Sequence, residues 1–318
     1  MPVGQANYYC FRQFIFLNIH MEKTLRIGYF ADGPWAHGAL DLLWNDSAME
    51  IAFVCARHSR PDEYLRERAS EIKIDFLVEK DVNSDAFIER LRGYDADLFV
   101  SMSFDQILRR SLYELPRLGT INCHAGKLPF YRGRNVLNWV LINDEEDFGI
   151  TVHYIDEGVD TGDIILQSSY PIFETDDYGT LLEKAFSECP IILHRAVQAI
   201  CAGSAKRIPQ SSVAIAGLIC TQRIPGDERL DWSMTSREVF SFVRALANPG
   251  PSAITEVDST TVKINKVEFI QNAPVYKGVP GAILAKEGNG FLVKTGDSYV
   301  KIVEWSSTAR LKAGGRFQ

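Results

Sequence analysis

Short apolar runs alternate with amphipathic stretches along the first half of the chain. The apolar runs predict buried strands at residues 25–30, 50–55, 75–78 and 97–102, and the amphipathic stretches predict helices at 35–44, 62–71 and 83–91. This alternation favours an α/β fold with a doubly wound, mostly parallel sheet, whose ligands bind at the carboxyl ends of the strands. The fold is therefore expected to be Rossmann-like, but no G-x-G-x-x-G follows the first strand, so the glycines of a dinucleotide site are missing.

The pattern changes after residue 119. Helices are predicted at 134–143 and at 180–201, the second with a break or kink near Pro190, and strands are predicted at 149–155 and 163–167. Residues 204–225 are rich in Ser, Gly and Pro with little periodicity, and we interpret them as a linker. A helix is then predicted at 238–247, followed by short β-type runs at 262–264, 282–284, 290–293 and 299–303. These runs predict a small, OB-like β domain over residues 226–318.

The length of 318 residues fits two domains, of which residues 21–203 would form the catalytic one. Residues 1–20 are aromatic-rich, but Arg12, Gln13 and Asn18 interrupt the apolar run that a secretory signal requires. We expect an extension without a catalytic role, upstream of a natural start at Met21. The alternative is an arm that packs on the protein or contributes to a homodimer.

Composition narrows the class of protein. With 46% hydrophobic and 24% charged residues, the chain is globular rather than disordered. The net charge of −7 argues against a general binder of nucleic acid or anionic membranes, and no run approaches the ~18 apolar residues of a membrane span. The six cysteines show no C-x-x-C and no Cys/His cluster, so we expect reduced thiols in a cytoplasmic protein and no metal.

Residues 120–167 carry the candidate chemistry. Asn122 and His124 lie two residues apart at the end of a predicted strand, so their side chains point the same way, and Asp160 follows in a glycine-flanked loop. An imidazole base, a carboxamide donor and a carboxylate suit acyl transfer to an amine. His153, on an apolar strand, is interpreted as structural. An N-x-H pair alone is common, however, and sequence distance leaves open whether Asp160 reaches His124.

The same stretch closely resembles the formyltransferases that use N10-formyltetrahydrofolate, which include methionyl-tRNA, glycinamide ribonucleotide and sugar-nucleotide formyltransferases. The resemblance rests on N-x-H-x-x-x-L-P, Y-R-G-R, N-W and GITVHYIDEGVDTGDII, and continues more weakly over LDWSMTSREVFSFVRALANPGPSA. It implies a catalytic triad of Asn122, His124 and Asp160, the last being the acid directly before Thr161. After His124 the chain reads Ala-Gly-Lys where the family often has Pro-Ser-Leu, a departure that places Lys127 near the pocket mouth.

By this resemblance, N10-formyltetrahydrofolate lies along SMSFDQILRRSLYELP and its pterin is held largely by backbone groups. A pterin has an amide-like edge that main-chain groups can pair, and its faces need apolar walls. Without the motif, the apolar members of this set would be interpreted as core. The implied contacts are Met102, Phe104, Gln106, Ile107, Leu108 and, in the later loop, Asp156.

The distribution of charge bears on which amine is formylated. Residues 226–318 hold 12 Lys and Arg against 10 Asp and Glu, and residues 1–225 hold 22 against 31, so neither part offers the broad basic surface that a tRNA needs. A diphosphate needs only two or three cations. We therefore expect a dTDP-, GDP- or UDP-linked 3- or 4-amino sugar, used in a surface polysaccharide, as the acceptor. The candidate contacts are Lys80, Lys127, Arg132 and Arg134, with Trp35 as a stacking platform.

The sequence leaves several alternative functions open. A methionyl-tRNA formyltransferase would transfer the same group to a tRNA-linked amine, and a formyltetrahydrofolate hydrolase would use water in place of the amine. A folate or nucleotide sensor without catalysis is a third alternative. For each candidate cation a surface role is an equal alternative, and for Trp35 packing in the core or against a helix is the favoured one.

Overall fold

The computed structural model describes residues 24–318. The expectations for residues 1–20 and for a start at Met21 lie outside these residues. In chain order, the first part contains β1 (Leu25–Ala31), α1 (Pro34–Trp44), β2 (Met49–Ala56), α2 (Glu63–Glu71), β3 (Asp75–Val78), α3 (Asp85–Arg92), β4 (Leu98–Met102), α4 (Arg110–Tyr113), β5 (Thr120–His124), β6 (Arg132–Gly133), α5 (Val136–Ile142), β7 (Asp147–Tyr154), β8 (Ile164–Pro171) and α6 (Tyr178–Cys201).

The main sheet has the strand order β3-β2-β1-β4-β5-β7-β8. Strands β1 to β5 pair in parallel, whereas β7 runs antiparallel to β5 and β8 antiparallel to β7. The winding reverses between β1 and β4, and the carboxyl ends of strands that flank such a reversal open a crevice. The expected doubly wound, mostly parallel sheet is confirmed.

The apolar runs form strands because helices cover both faces of this sheet. All five residues of β4 are buried. Side chains of α1, α5 and α6 pack on one face, and those of α3 and α4 pack on the other. Continuous burial of this kind is what makes parallel strands read as unbroken hydrophobic runs rather than as alternating ones.

Helix α6 continues through Pro190 as one element, so the break predicted there is wrong. The proline ring is buried and packs against Gly38 of α1. A proline removes one backbone hydrogen bond from a helix, and here the packing of α6 against α1 and the sheet offsets that loss. Tertiary contact therefore overrides the local propensity.

The segment interpreted as a linker, residues 204–225, lies against the first domain. It contains a 3-10 turn (Gln210–Ser212) and the short strand β9 (Ile219–Cys220), which pairs in parallel with β6. Trp139 of α5 also donates a hydrogen bond to the carbonyl of Thr221 at 3.1 Å. This connection therefore packs along the first domain on its way to the second.

The second part of the chain forms a separate antiparallel β domain, as expected. Its sheet has the strand order β10-β11-β14-β13-β12, and its buried core is distinct from that of the first domain. The helix that precedes the sheet begins with a capping box in which Thr235 and Glu238 bond each other's backbone N–H. The elements are α7 (Ser236–Leu246), β10 (Ala253–Val257), β11 (Thr260–Phe269), β12 (Ile283–Glu287), β13 (Gly290–Lys294) and β14 (Tyr299–Ser306).

The two domains meet at Asp144, which follows α5. Its carboxylate accepts hydrogen bonds from Arg237, Ser241 and Arg244 of α7 at 2.6–3.1 Å. Burial would raise the pKa of this carboxyl, but the two guanidinium groups and the hydroxyl outweigh burial and lower it. An ionised Asp144 therefore fixes α7, and with it the second domain, against α5.

Residues 24–318 contain neither a helix that could span a membrane nor a cluster of metal ligands. No helix in this range combines the length and apolar character needed to cross a bilayer, and no three His, Cys, Asp or Glu side chains there are grouped as metal ligands. Within the same range, the cysteines carry free thiols.

Candidate active site

A cavity of about 610 Å³ opens at the carboxyl ends of β1, β4 and β5. Strand β5 contributes Asn122 and His124, and the loop between β7 and β8 contributes Asp160. The three side chains predicted as a triad therefore line one cavity. The crevice at the reversal of the sheet is thus the candidate active site.

His124 is held by a backbone carbonyl rather than by the carboxylate. Its Nε2 donates a hydrogen bond to the Tyr131 carbonyl at 2.7 Å, and its Nδ1 faces Asp160 Oδ2 at 3.7 Å. Because a carbonyl oxygen can only accept, the hydrogen of the neutral ring sits on Nε2 and Nδ1 is left as the proton acceptor. A Cβ on Gly126 would lie 2.4 Å from Nε2, so only glycine fits beside the ring.

Asp160 is fixed in a carboxylate form between two histidines. Its Oδ2 accepts the Gly133 N–H at 2.8 Å, and its Oδ1 lies 3.4 Å from His153 Nε2. Burial would raise the pKa of this carboxyl, but His124, His153 and the Gly133 N–H outweigh burial and hold its pKa well below the usual range. A negative charge beside His124 is therefore present across the physiological pH range.

His153, which we interpreted as structural, belongs to this cluster. It is 2% exposed, its Nδ1 donates to the Tyr154 carbonyl at 2.8 Å, and its Nε2 lies 3.3 Å from Asn122 Nδ2. The antiparallel register of β5 and β7 pairs Asn122 with His153 directly. His153 thus links Asn122 to Asp160, a role that no signal in the sequence shows without the strand pairing.

The residues implied for the folate all line the cavity. Met102 ends β4, and the loop that follows it lines the cavity with residues that include the apolar Phe104 and Leu108. The side-chain amide of Gln106 is already bonded to the backbone, since it accepts from Val82 N and donates to Glu79 O at 3.0–3.1 Å. The set of implied contacts found in the lining is Met102, Phe104, Gln106, Ile107, Leu108 and Asp156.

Asp156 builds the loop that carries Asp160. Its Oδ1 accepts the Gly158 N–H at 3.1 Å and the Thr161 hydroxyl at 2.5 Å. A carboxylate that closes a loop in this way fixes the position of the residues between its partners. Its position in the cavity wall and its part in the loop are compatible, since one oxygen is left for a ligand.

Of the residues expected to contact the acceptor, the structure brings only Trp35 and Arg134 to the cavity. Lys127 is paired with Asp147 at 2.7 Å, and Arg132 is paired with Gln210 at 2.6–3.0 Å. Lys80 lies in the loop between β3 and α3, outside the lining. These three cations are not positioned to bind an acceptor in the cavity.

Sequence reasoning missed several lining residues that offer polar groups, among them Arg57, Tyr178 and Asn135. Arg57 follows β2 and contacts Ser103, Tyr178 begins α6, and Asn135 precedes α5 with its Oδ1 accepting the Arg223 N–H at 2.9 Å. Arg57 was detectable, because it directly follows a predicted parallel strand at the edge where ligands bind. Tyr178 and Asn135 depend on the packing of α5 and α6, which the sequence does not show.

The chain was compared with known proteins. It matches the family described as "Formyl transferase" over residues 30–197 and "Formyl transferase, C-terminal domain" over residues 224–314. It is 31% identical over 300 residues to methionyl-tRNA formyltransferase of Halothermothrix orenii, covering 91% of this chain and 94% of that protein. The fold is similar to that of WlaRD, a sugar 3N-formyl transferase (TM-score 0.67, 20% identity, 91% and 99% covered), and to that of the N-formyltransferase from Helicobacter canadensis (0.63, 20%, 89% and 99%).

A doubly wound sheet with an imidazole, a carboxamide and a carboxylate at its reversal point defines a group-transfer enzyme. The chain belongs to the formyl transferase family, and it is a formyl-group transferase. The formyl donor is N10-formyltetrahydrofolate. Residues 102–108 line the same cavity, and the individual contacts to its pterin stay a prediction.

Proposed function

We propose that this protein transfers the formyl group of N10-formyltetrahydrofolate to the free amine of a nucleotide-linked amino sugar, dTDP-, GDP- or UDP-linked. The observation that carries the proposal is the size of the cavity and the small number of cations in its lining. The cavity measures about 610 Å³, and its lining holds Arg134 and Arg57, the latter 3.3 Å from Asp32, beside the carboxylates of Asp105, Asp156 and Asp160. Two arginines suffice for a diphosphate, whereas a polyanion is bound by many cations on a broad surface.

In the proposed mechanism, Asn122, His124 and Asp160 are the catalytic triad. His124 Nδ1 accepts the proton of the amine as its nitrogen attacks the formyl carbon. Asp160 stabilises the resulting imidazolium, since its carboxylate lies 3.7 Å from Nδ1. That distance exceeds a direct hydrogen bond, but such contacts shorten when substrates close the site.

Asn122 supplies the oxyanion donor. One N–H of its carboxamide faces His153 Nε2, which leaves the second N–H for the oxygen of the tetrahedral intermediate. His124 then returns the proton to N10 as the bond between N10 and the formyl carbon breaks. The products are the N-formylated amine and tetrahydrofolate, and no proton is gained or lost overall.

A methionyl-tRNA acceptor is the second candidate. It is favoured by the 31% identity to a methionyl-tRNA formyltransferase along nearly the whole chain. A second cavity of about 350 Å³ between the domains shares Asn135, Asn138 and Tyr178 with the first, and Arg223 lies at its wall. Either acceptor would enter along this cleft, so the cleft does not discriminate between them.

A screen of acceptors decides between these functions. The protein is incubated with N10-formyltetrahydrofolate and, in parallel, with dTDP-, GDP- and UDP-linked 3- and 4-amino sugars, charged initiator tRNA, or no acceptor. We expect release of tetrahydrofolate with at least one nucleotide sugar, at a rate well above that without acceptor. Turnover with tRNA alone would establish the second candidate, and the full rate without acceptor would establish a hydrolase.

Arg134→Ala should raise the KM for the nucleotide sugar about 10-fold with kcat little changed. The change removes one charge-assisted hydrogen bond, worth about 1.4 kcal/mol, that acts equally in the ground and transition states. Steady-state kinetics with the acceptor identified in the screen measure the effect. Lys80→Ala is the matched control, because it removes a cation outside the cavity and should leave both constants unchanged. An unaltered KM in Arg134→Ala would contradict the assignment.

A further inference from the structure

We propose that Gln210 is a positioning residue for formyl transfer. It fixes the relative positions of Asp160 and of Gly133, whose N–H donates to the Asp160 carboxylate. The proposal rests on the catalytic role of Asp160 given above. Gln210 lies in the segment between the domains, and neither family match, over residues 30–197 or over 224–314, includes it. Its side chain is nevertheless 4% exposed and reaches the loop that carries Asp160.

The amide nitrogen of Gln210 holds the backbone of this loop. Nε2 donates to the carbonyl of Asp160 at 2.8 Å and to the carbonyl of Gly162 at 2.8 Å. Asp160 has φ +52°, a left-handed conformation that costs an L-residue about 1 kcal/mol or more. Such a conformation persists when neighbouring contacts fix it, and both hydrogens of the Gln210 amide are used for this purpose.

The amide oxygen of Gln210 binds the short strand whose backbone donates a hydrogen bond to the Asp160 carboxylate. Oε1 accepts from Arg132 Nε at 3.0 Å and from Arg132 Nη2 at 2.6 Å. The next residue, Gly133, donates its N–H to Asp160 Oδ2 at 2.8 Å. One side chain therefore binds both the loop that presents the carboxylate and the strand that orients it, with every hydrogen-bonding group of the amide satisfied.

This arrangement explains the role of Arg132. The sequence suggested that Arg132 binds an anionic substrate, but its guanidinium is committed to Gln210 beside the strand pair β6–β9. The segment between the domains is thus part of the active-site frame. A displacement of about 1 Å at a reacting group can cost ~100-fold in rate, so loss of this bridge should appear in kcat.

Gln210→Glu is the discriminating substitution. It keeps the shape and the acceptor for Arg132, but it replaces both N–H donors with oxygen that faces two carbonyl oxygens. We expect kcat to fall about 10- to 100-fold with the KM for N10-formyltetrahydrofolate within about 2-fold of its original value. As the pH is lowered, protonation of the introduced carboxyl restores one donor, so the ratio of variant to wild-type kcat should rise toward acid pH.

Two further variants and a measurement of stability complete this experiment. Ser212→Ala removes an exposed hydroxyl from the same turn and should leave kcat unchanged. Gln210→Asn, one methylene shorter, should lose kcat without the acid recovery, and it carries the test should the Glu variant not fold. Thermal unfolding of each variant measures the folded fraction, by which kcat is corrected.

The outcomes separate this inference from the proposed function. A wild-type kcat per folded enzyme in Gln210→Glu, or a loss without pH recovery and with an equal rise in KM, would overturn the positioning role. Asp160→Asn is assayed in parallel. If that variant keeps its activity, the triad itself fails, whereas an inactive Asp160→Asn with an unaffected Gln210→Glu refutes the Gln210 inference alone.

Discussion

His124→Ala should lower kcat for formyl transfer by about 10²- to 10⁴-fold, the range that a positioned general base contributes. The variant loses both the proton acceptor Nδ1 and the imidazolium that faces Asp160. Because the proposed folate contacts at residues 102–108 are untouched, binding of tetrahydrofolate, followed by calorimetry or fluorescence, should stay within about 3-fold of wild type. Single-turnover transfer of a radiolabelled formyl group measures the chemical step without interference from product release.

His58→Ala provides the matched control for this prediction. His58 is exposed in the loop after β2 and lies outside the cavity lining, so its removal should leave kcat within 2-fold. Retention of most activity by His124→Ala would show that the amine reaches the formyl carbon already deprotonated. A loss of activity together with a loss of folate binding would indicate a collapsed site rather than a missing base.

The fold could be predicted from local pattern because the inner strands β1 and β4 of the doubly wound half are buried on both faces. Residues 25–30 and 97–102 therefore stand out as apolar runs, and the charged helices between them follow from their spacing. The course of α6 through Pro190 could not be predicted in this way. Pro190 packs there against Gly38, a residue 152 positions earlier in the chain, and no local pattern shows such a contact.

The residues of the candidate site likewise divide into those that local pattern places and those that depend on long-range contacts. Asn122 and His124 could be placed together because side chains two residues apart on a strand share a face, and the family resemblance supplied Asp160. His153 and Gln210 could not be found, since their roles arise from the antiparallel entry of β7 beside β5 and from the return of residues 204–225.

Cations are the least predictable part of the site. Lys127 and Arg134 look equivalent in the sequence, since both follow the N-x-H motif within twelve residues. The structure separates them by their partners: Lys127 is neutralised by Asp147, whereas the Arg134 guanidinium donates to the neutral amide of Gln222 and, among residues 24–318, forms no ion pair in the cavity wall. Which cations are left to bind an acceptor therefore depends on ion pairs that form only in the folded chain.

Asp160→Asn should lower kcat about 10³-fold while it preserves the shape of the loop. The carboxamide can still accept the Gly133 N–H, but it carries no charge to stabilise the imidazolium of His124. Its N–H₂ group also donates to Nδ1 of His124 or Nε2 of His153, and a donated hydrogen bond would occupy the lone pair that takes the proton of the amine. Glu157→Gln, which changes an exposed acid of the same loop, should keep wild-type kinetics.

The free energy of unfolding of wild type, compared with that of Asp160→Asn, should depend on pH. The sign of this dependence follows from the pKa of Asp160. Because that pKa is lowered in the folded protein, the carboxylate stabilises the fold at every pH above its unfolded value of about 3.9. The contribution is lost as the pH falls from there through the folded pKa. In urea unfolding from pH 7 to pH 3, wild type should therefore lose stability relative to Asp160→Asn below about pH 4. A constant difference between the two proteins across this range would mean that the histidines and the Gly133 N–H do not favour the ionised carboxylate.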